Sequence, residues 1–332
     1  MSQERPLRLL VTGGAGYIGS VVATLLGARG QDVVVLDDLS TGHRDAVPAS
    51  ARFVQGTVRD DAAALLASGI DAVLHFAAKS LVGESMENPS LYWENNLGGT
   101  LALLEAMSAT KTPRIIFSST AAVYGEPEAT PIAETAPTRP TSPYGASKLA
   151  VDTALAEYAR MHGIGGVSLR YFNVAGAYED SGGRWYGERH APETHLIPNL
   201  LAIAAANAAG ADRHAQLFGD DYPTPDGTCV RDYIHVADLA HAHLLALDAC
   251  APGQHRIYNL GVGNGFSNRE VLDMCRELTG QDIPAVIGPR RPGDPAVLVA
   301  SADRIKADLG WQPDRQLRSM VADAWAFTQV MA

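Results

Sequence analysis

The chain has little cysteine. There are three residues, Cys229, Cys250 and Cys275, an odd number with no Cys-x-x-Cys pair among them. That pattern excludes a disulfide framework and a cysteine-built zinc motif, and it leaves a reducing, cytoplasmic setting as the expectation. Positive charge is also short. Lys and Arg number 26 against 37 Asp and Glu, a formal charge of −11, which argues against non-specific binding to nucleic acid or to an anionic membrane surface. No apolar run approaches the roughly 20 residues that span a bilayer, and the first residues carry no signal-peptide core. No internal repeat, low-complexity tract or block of like charge interrupts the chain. A hydrophobic share of 46% over 332 residues is ordinary globular composition, with room for one large or two medium domains.

Against that background, three short segments carry chemistry. Tyr144 and Lys148 stand at i, i+4 in Ser-Pro-Tyr-Gly-Ala-Ser-Lys, so on a helix they share one face, one turn apart. A phenol beside an ammonium is a usable proton acceptor, because the cation lowers a pKa of about 10 at roughly 1.4 kcal/mol per unit. In isolation the same spacing describes a surface Tyr and a solvated Lys. It is not isolated. Leu7 to Val11 reads as a strand buried on both faces and runs into Thr12-Gly-Gly-Ala-Gly-Tyr-Ile-Gly19, with Val21 to Leu26 continuing as helix. Gly13, Gly16 and Gly19 follow a variant of the dinucleotide fingerprint: one glycine for the tight turn, one for close approach to a pyrophosphate, one for helix–strand packing. Asp32 to Asp37 supplies a second strand that ends in an acid, where a carboxylate accepts hydrogen bonds from an adenosine ribose. Asp37 would repel a 2′-phosphate, so NAD is favoured over NADP. The third segment, Phe117-Ser118-Ser119-Thr120, closes another apolar run. Thr120 or a neighbouring serine could hydrogen-bond a substrate hydroxyl or the phenol oxygen; alone it reads as a turn hydroxyl.

Strand and helix patterns alternate through the first half. Arg52 to Gln55, Ala72 to Phe76, Arg114 to Ser118 and Gly166 to Leu169 read as further strands; Asp60 to Ala67, Pro89 to Ser108 and Pro143 to Met161 read as helices. The alternation predicts an α/β, Rossmann-like, doubly wound parallel sheet. Past Phe172, Gly, Pro and charge rise over Ala177 to Pro192, and short apolar segments follow between turn signals. Arg231 to Leu247 reads as a strand and a helix, and Arg256 to Gly261 as a strand returning to the sheet. The expected division is therefore a cofactor domain of residues 1–175 plus a returning 231–262, and a smaller, discontinuous C-terminal domain within 176–332. His235, His241 and His243 with Asp238 suggest a metal, but 241 and 243 point to different faces of a helix and no structural zinc pattern is present, so none is expected. Cys229 has no base placed beside it by the sequence.

Together the glycine loop, the strand-end hydroxyl and Tyr-x-x-x-Lys resemble the extended short-chain dehydrogenase/reductase superfamily, and within it the UDP-glucose 4-epimerase family. The likeness runs nearly end to end: His75 to Ala78, Val82 to Ser85, Tyr92 to Asn96, Leu169 to Asn173, Phe218 to Thr224, Gly227 to Asp238 and Arg290 to Asp294. It implies an isomerase that interconverts UDP-galactose and UDP-glucose through a transient 4-keto sugar, with tightly bound NAD. Tyr144 would be the base at the sugar O4, Lys148 would hold the nicotinamide ribose and lower the phenol pKa, and Thr120 would orient the substrate. Besides Gly13, Gly16, Gly19 and Lys148, the resemblance gives cofactor positions to Tyr17, Ile18, Asp37, Asp38, Thr57 and Val58. It gives further ones to Phe76, Ala77, Ala78, Ser80, Asn95 and Phe172. Substrate positions beside Thr120 and Tyr144 are Asn173, Leu196, Phe218 and Leu298, with Arg231 and Arg291 on the diphosphate and Asp294 on the uridine ribose. An arginine pair suits a pyrophosphate, since each guanidinium donates two parallel hydrogen bonds. Gripping the diphosphate while holding the sugar loosely lets the keto intermediate turn over.

Some positions depart from the family pattern. Thr57 stands where an acid is usual, Ser80 (beside Lys79) where many members carry Lys, and Leu298, at the position that gates the sugar pocket, is intermediate between a Tyr that excludes N-acetyl groups and a small residue that admits them. Plain hexoses are the expectation. Other readings are a UDP-N-acetylhexosamine or UDP-pentose 4-epimerase, a 4,6-dehydratase, and a non-catalytic NAD sensor. The dehydratase needs an acid pair after Thr120, where Ala121 and Ala122 stand. The family also implies a homodimer through a four-helix bundle of the Tyr144 helix and the one before it, with Leu101, Leu104, Leu149 and Leu155 as face candidates.

Overall fold

Strands whose side chains alternate between two apolar faces build the centre of the molecule. The computed structural model describes residues 5–291 and 294–331; Pro292 and Gly293, within the Arg290 to Asp294 motif, lie outside the described residues. Strands β1 (Arg8–Thr12), β2 (Asp32–Asp37), β3 (Arg52–Gln55), β4 (Ala72–His75), β5 (Arg114–Thr120), β6 (Gly165–Tyr171) and β7 (His255–Leu260) form a seven-stranded sheet in the order 7-6-5-4-1-2-3. Every pairing in it is parallel. On β1, Leu9 and Val11 face one core and Leu10 the other, the period of two that a doubly covered strand needs. One face is covered by α1 (Tyr17–Ala28) and α8 (Val236–Ala249), the other by α2 (Val58–Leu66), α5 (Gly99–Thr110) and α6 (Pro143–His162). The order reverses between β1 and β4, and open α/β sheets bind ligands outside the carboxyl ends at such a switch point.

Between β4 and α5 the expected single helix from Pro89 to Ser108 is corrected. The short helices α3 (Val82–Glu87) and α4 (Pro89–Tyr92) lead into a π-helical turn at Trp93–Gly98 before α5 begins. The extra residue in that turn re-aims Asn95 and Asn96. Asn96 takes up the backbone of Lys79 through both ends of its amide, at 2.8 and 3.0 Å, and reaches Ser147 on α6 at 3.2 Å. Tertiary hydrogen bonding, which a hydrophobic period does not encode, decides this break.

A third core lies beyond the sheet's carboxyl edge, where α7 (Leu196–Ala208), α9 (Asn268–Thr279) and α11 (Leu317–Met331) pack around Leu200, Leu201, Val271 and Met320; α10 (Asp303–Leu309) packs back on the sheet through Ile305. Short strands knit this region to the sheet. Asn173–Ala175 runs parallel to Tyr233–His235, and Val230–Arg231 lies between Phe266–Ser267 and Val297–Leu298. No helix among the described residues is long and apolar enough to cross a membrane.

Helix α6 starts at a Ser142 cap, whose hydroxyl accepts from Gly145 N, with Pro143 in its first turn, and ends at Gly163 in the left-handed region. A buried ion pair pins it to the sheet. Arg170 of β6 donates to Asp152 Oδ2 from Nε at 3.0 Å and Nη2 at 2.8 Å, and Ser119 of β5 donates to the same oxygen at 3.2 Å. Both charged side chains are 3% exposed. Asp152→Ala would strand a buried guanidinium and should destabilise the fold by about 3–5 kcal/mol, read as a lowered denaturant midpoint. An apolar replacement of both partners should restore much of that loss.

Candidate active site

The turn after β1 is shaped by what its glycines lack. A Cβ on Gly13, at φ +71°, would lie 2.5 Å from Ala77 N, and one on Gly19 would lie 2.3 Å from Gly13 O. Bare backbone there, opening onto the N-terminus of α1, is a cradle for a phosphate. At the end of β2, Asp37 accepts hydrogen bonds from Ala15 N at 3.0 Å and Leu39 N at 2.8 Å. Burial raises its carboxyl and those two donors oppose the shift. A cleft of about 700 Å³ runs from this turn along the carboxyl edge. Its lining includes every residue expected at the cofactor, from Gly13 through Asp37, Thr57 and Phe76 to Asn95 and Phe172, together with Tyr144, Lys148 and Thr120. The bare glycine backbone, the acid at the end of β2 and the apolar walls fit a dinucleotide without a 2′-phosphate.

His75, at the end of β4, is the neutral hinge of the cleft floor. Thr100 donates to Asn96 O, so its oxygen accepts from His75 Nε2 at 2.9 Å, and Nδ1 accepts from Thr12 at 2.6 Å. Burial, with Lys148 nearby, holds its pKa down at about 3. Thr57, where an acid is usual, caps α2: its hydroxyl accepts from Asp60 N at 3.1 Å and donates to Asp60 Oδ2 at 2.8 Å. The oxygen is thus engaged locally, in the cap of α2. Ser80, which departs from the pattern after β4, and its neighbour Lys79 both line the cleft, Lys79 with its amide on Asn96.

Tyr144 and Lys148 do share one face of α6, but the expected electrostatics between them needs correction. Lys148 Nζ donates to Ser118 O at 2.9 Å and sits 4.7 Å from the Phe117 ring centre. The cation is thus held by β5. Burial pushes the Tyr144 phenol up, and only the Thr120 hydroxyl acts to lower it. Burial also brings Lys148 down to about 8, against the pull of Asp152. Desolvation therefore sets the phenol, with the Thr120 hydroxyl opposing it.

The cleft meets a second cavity of about 450 Å³ at Asn173, Val174, His195 and Arg231. Leu196, Phe218, Arg291 and Asp294 line that second cavity, and Leu298 lines the first. Asp232, fully buried, holds the junction together. Its carboxylate accepts from Val262, Gly263 and Ala300 N, and its carbonyl accepts from the Asn173 amide at 2.9 Å. Arg231 and Leu298 are partners on one rung of the small sheet. The two arginines expected on the diphosphate have partners within the protein: Arg231 is ion-paired with Asp294, and the Arg291 guanidinium lies 4.0 Å from the centre of the Phe218 ring.

Elsewhere, Asp238 binds Arg315 and His235 pairs with Asp323 at 3.0 Å, while His243 is buried against Phe76, so these residues do not converge. Cys229 is buried with its thiol 3.8 Å from Asp294. Several cleft residues escaped the sequence reading. Tyr171 hydrogen-bonds Ser118, and Glu188, His190 and His195 line the cleft mouth. A Glu-x-His-x-x-Glu-x-His spacing was the available signal for the last three.

The fold and site together define a dinucleotide-dependent enzyme in which a tyrosine, a lysine and a threonine meet at the end of the cofactor cleft. The model of the NAD dependent epimerase/dehydratase family matches residues 9–261, and the chain belongs to that family. It is 56% identical over 322 residues to a UDP-glucose 4-epimerase of Streptomyces lividans, covering 96% of this chain and 95% of the relative. It is 53% identical over 327 residues to one of Corynebacterium glutamicum, covering 98% and 97%. It superimposes with a TM-score of 0.88 on the UDP-glucose 4-epimerase of Bifidobacterium longum in complex with NAD⁺ and UDP, at 38% identity over 97% of this chain and 98% of that one.

Two outcomes follow. Gly13→Ala, with its forced contact and positive φ, should cut the NAD retained on purification more than tenfold, measured from the nucleotide released on denaturation. A lysine whose folded pKa is depressed binds fewer protons than in the unfolded chain between pH 8 and 10.5. Its burial penalty is therefore present below pH 8 and relieved as pH rises. The stability of Lys148→Met relative to the parent, both free of cofactor, should fall across pH 8 to 10 by up to about 1.4 kcal/mol per unit.

Proposed function

We propose that this chain is a UDP-glucose 4-epimerase, interconverting UDP-galactose and UDP-glucose. The observation that carries the reading is the junction. The Tyr144–Thr120–Lys148 group stands at one end of a cofactor cleft that opens, through Asn173 and Arg231, into a cavity holding Arg291 and Asp294.

Tyr144 takes the proton from the sugar O4 and later returns it. Thr120, whose oxygen already accepts from Ala122 N at 3.1 Å, has its proton left to orient that hydroxyl. Gly13, Gly16, Gly19, Asp37 and Lys148 hold the NAD, which when bound supplies a hydride acceptor regenerated within the cycle. Tyr144 and Lys148 flank the place where bound NAD⁺ would bring a positive charge, and that charge would lower the phenol from its buried value and activate the base. Arg231 and Arg291 take the diphosphate, at which point Asp294 is released to the uridine ribose. The sugar itself is gripped least, and its keto form turns over. Leu298, packed with Phe172 against the small core of Val123, Tyr124 and Ile132, narrows the sugar end and favours plain hexoses over N-acetylated ones.

The sheet portion, residues 1–175 with 231–262, is assigned to the cofactor, and the remainder of 176–332 to the sugar nucleotide. We also assign a homodimer through α5 and α6. Leu104 and Leu155 are buried in the monomer core and Leu149 packs against Val123, Tyr124 and Ile132, which leaves Leu101 as the exposed candidate on that face. The three free, buried cysteines suit the cytoplasm.

Purified protein given UDP-galactose without added cofactor should produce UDP-glucose. Tyr144→Phe should lower kcat about 10²- to 10⁴-fold while still retaining NAD. Unchanged turnover in that variant would remove Tyr144 as the base. Leu298→Ser should raise turnover of UDP-N-acetylgalactosamine relative to UDP-galactose, measured side by side. A monomer mass in light scattering at micromolar concentration would overturn the dimer.

A further inference from the structure

Between Trp185–Tyr186 and α7, one loop gathers two histidines and two glutamates. Glu188, His190, Glu193 and His195 each offer a donor atom, and all four atoms lie within 4.8 Å of one another. His190 Nδ1 is 2.9 Å from Glu188 Oε1 and 4.0 Å from Glu193 Oε2, and His195 Nδ1 is 3.8 Å from Glu193 Oε1 and in contact with Glu188 Oε1. Four ligands at about 2.0–2.1 Å in a tetrahedron stand about 3.3 Å apart, which these separations bracket.

Two features set the group apart from a solvated cluster. Glu188 is 7% exposed, and among the described residues its charged partners are the His190 and His195 imidazoles, with no Arg or Lys. A carboxylate that buried calls for a cation, which an ion shared with both imidazoles would supply. His190 Nδ1 is buried and makes no aligned hydrogen bond, though it stands beside the Glu188 and Glu193 carboxylates. The loop is also held in place from outside. Arg189 forks onto Asp45 at 2.8 and 3.0 Å, the Arg189 carbonyl meets His43 Nε2 at 2.9 Å, and Asn199 donates to Glu193 O.

We propose that Glu188, His190, Glu193 and His195 bind one divalent transition-metal ion, Zn²⁺ by the imidazole and carboxylate character of the set. The ion's place is structural. It closes the loop that forms the common wall of the two cavities, since Glu188, His190 and His195 line the cleft and His195 lines the second cavity as well. This goes beyond the epimerase reading and does not depend on it.

The test uses the full chain without a histidine tag, stripped by a chelator and dialysed. Titrated with Co²⁺, it should develop visible d–d absorption that saturates at one equivalent and is displaced by Zn²⁺. With ZnCl₂ at a hundred times its Kd, Tm should rise by about 4 °C. His190→Ala and His195→Ala should each weaken binding more than tenfold and abolish the Tm rise, while melting cooperatively in chelator. Should one of them fail to fold, Glu193→Gln takes its place. Absence of one-equivalent binding by the parent chain, or binding unchanged in folded variants, would overturn the proposal.

Discussion

The buried pair of Arg170 and Asp152 is the constraint on which the candidate site rests. Two charges at 3% exposure gain little net stability from each other, because desolvation offsets their attraction. What the pair supplies is position. Asp152 lies one turn beyond Lys148 on the face that carries Tyr144, so anchoring it to β6, with Ser119 of β5 on the same oxygen, sets the helix's rotation and height over the sheet. The phenol and the ammonium then arrive at the carboxyl ends of β5 and β6, beside Thr120.

Burial sets the chemistry available there. It raises the phenol, lowers the ammonium to about 8 and keeps His75 neutral. Each shift disfavours charge in the protein by itself. Under the proposed function, such a site would remain a poor base until something charged filled the cleft, tying proton abstraction to cofactor binding. The same logic applies across the junction, where Arg231 rests on Asp294 and Arg291 on Phe218. These pairings give each cation a partner within the protein.

Local rules made the first half of the fold legible. A short apolar strand needs few residues to declare itself, and β2 and β3 fall where alternation and turn signals place them. The fingerprint glycines are legible for the same reason: the chain passes so near another backbone that a Cβ on Gly13 would lie 2.5 Å from Ala77 N, and only glycine allows that. The π-turn at Trp93–Gly98 and the capping role of Thr57 were not legible, since each depends on a partner supplied by the folded chain or by a local choice among hydrogen bonds. Leu104 and Leu155 show the same limit. An apolar residue on a helix reads alike whether it faces the protein's own core or a second copy.

By itself, then, the sequence determined the residue types and the spacings: the glycine turn, the acid closing β2, the strand-end threonine and the tyrosine with its lysine. Covalent spacing on a strand or a helix carries that information directly. Only the tertiary structure decided that Lys148 leans on Ser118, that Asp232 joins the two cavities, and that Glu188, His190, Glu193 and His195 converge. Those depend on through-space distance and on lost solvent. Neither quantity exists until the chain has folded.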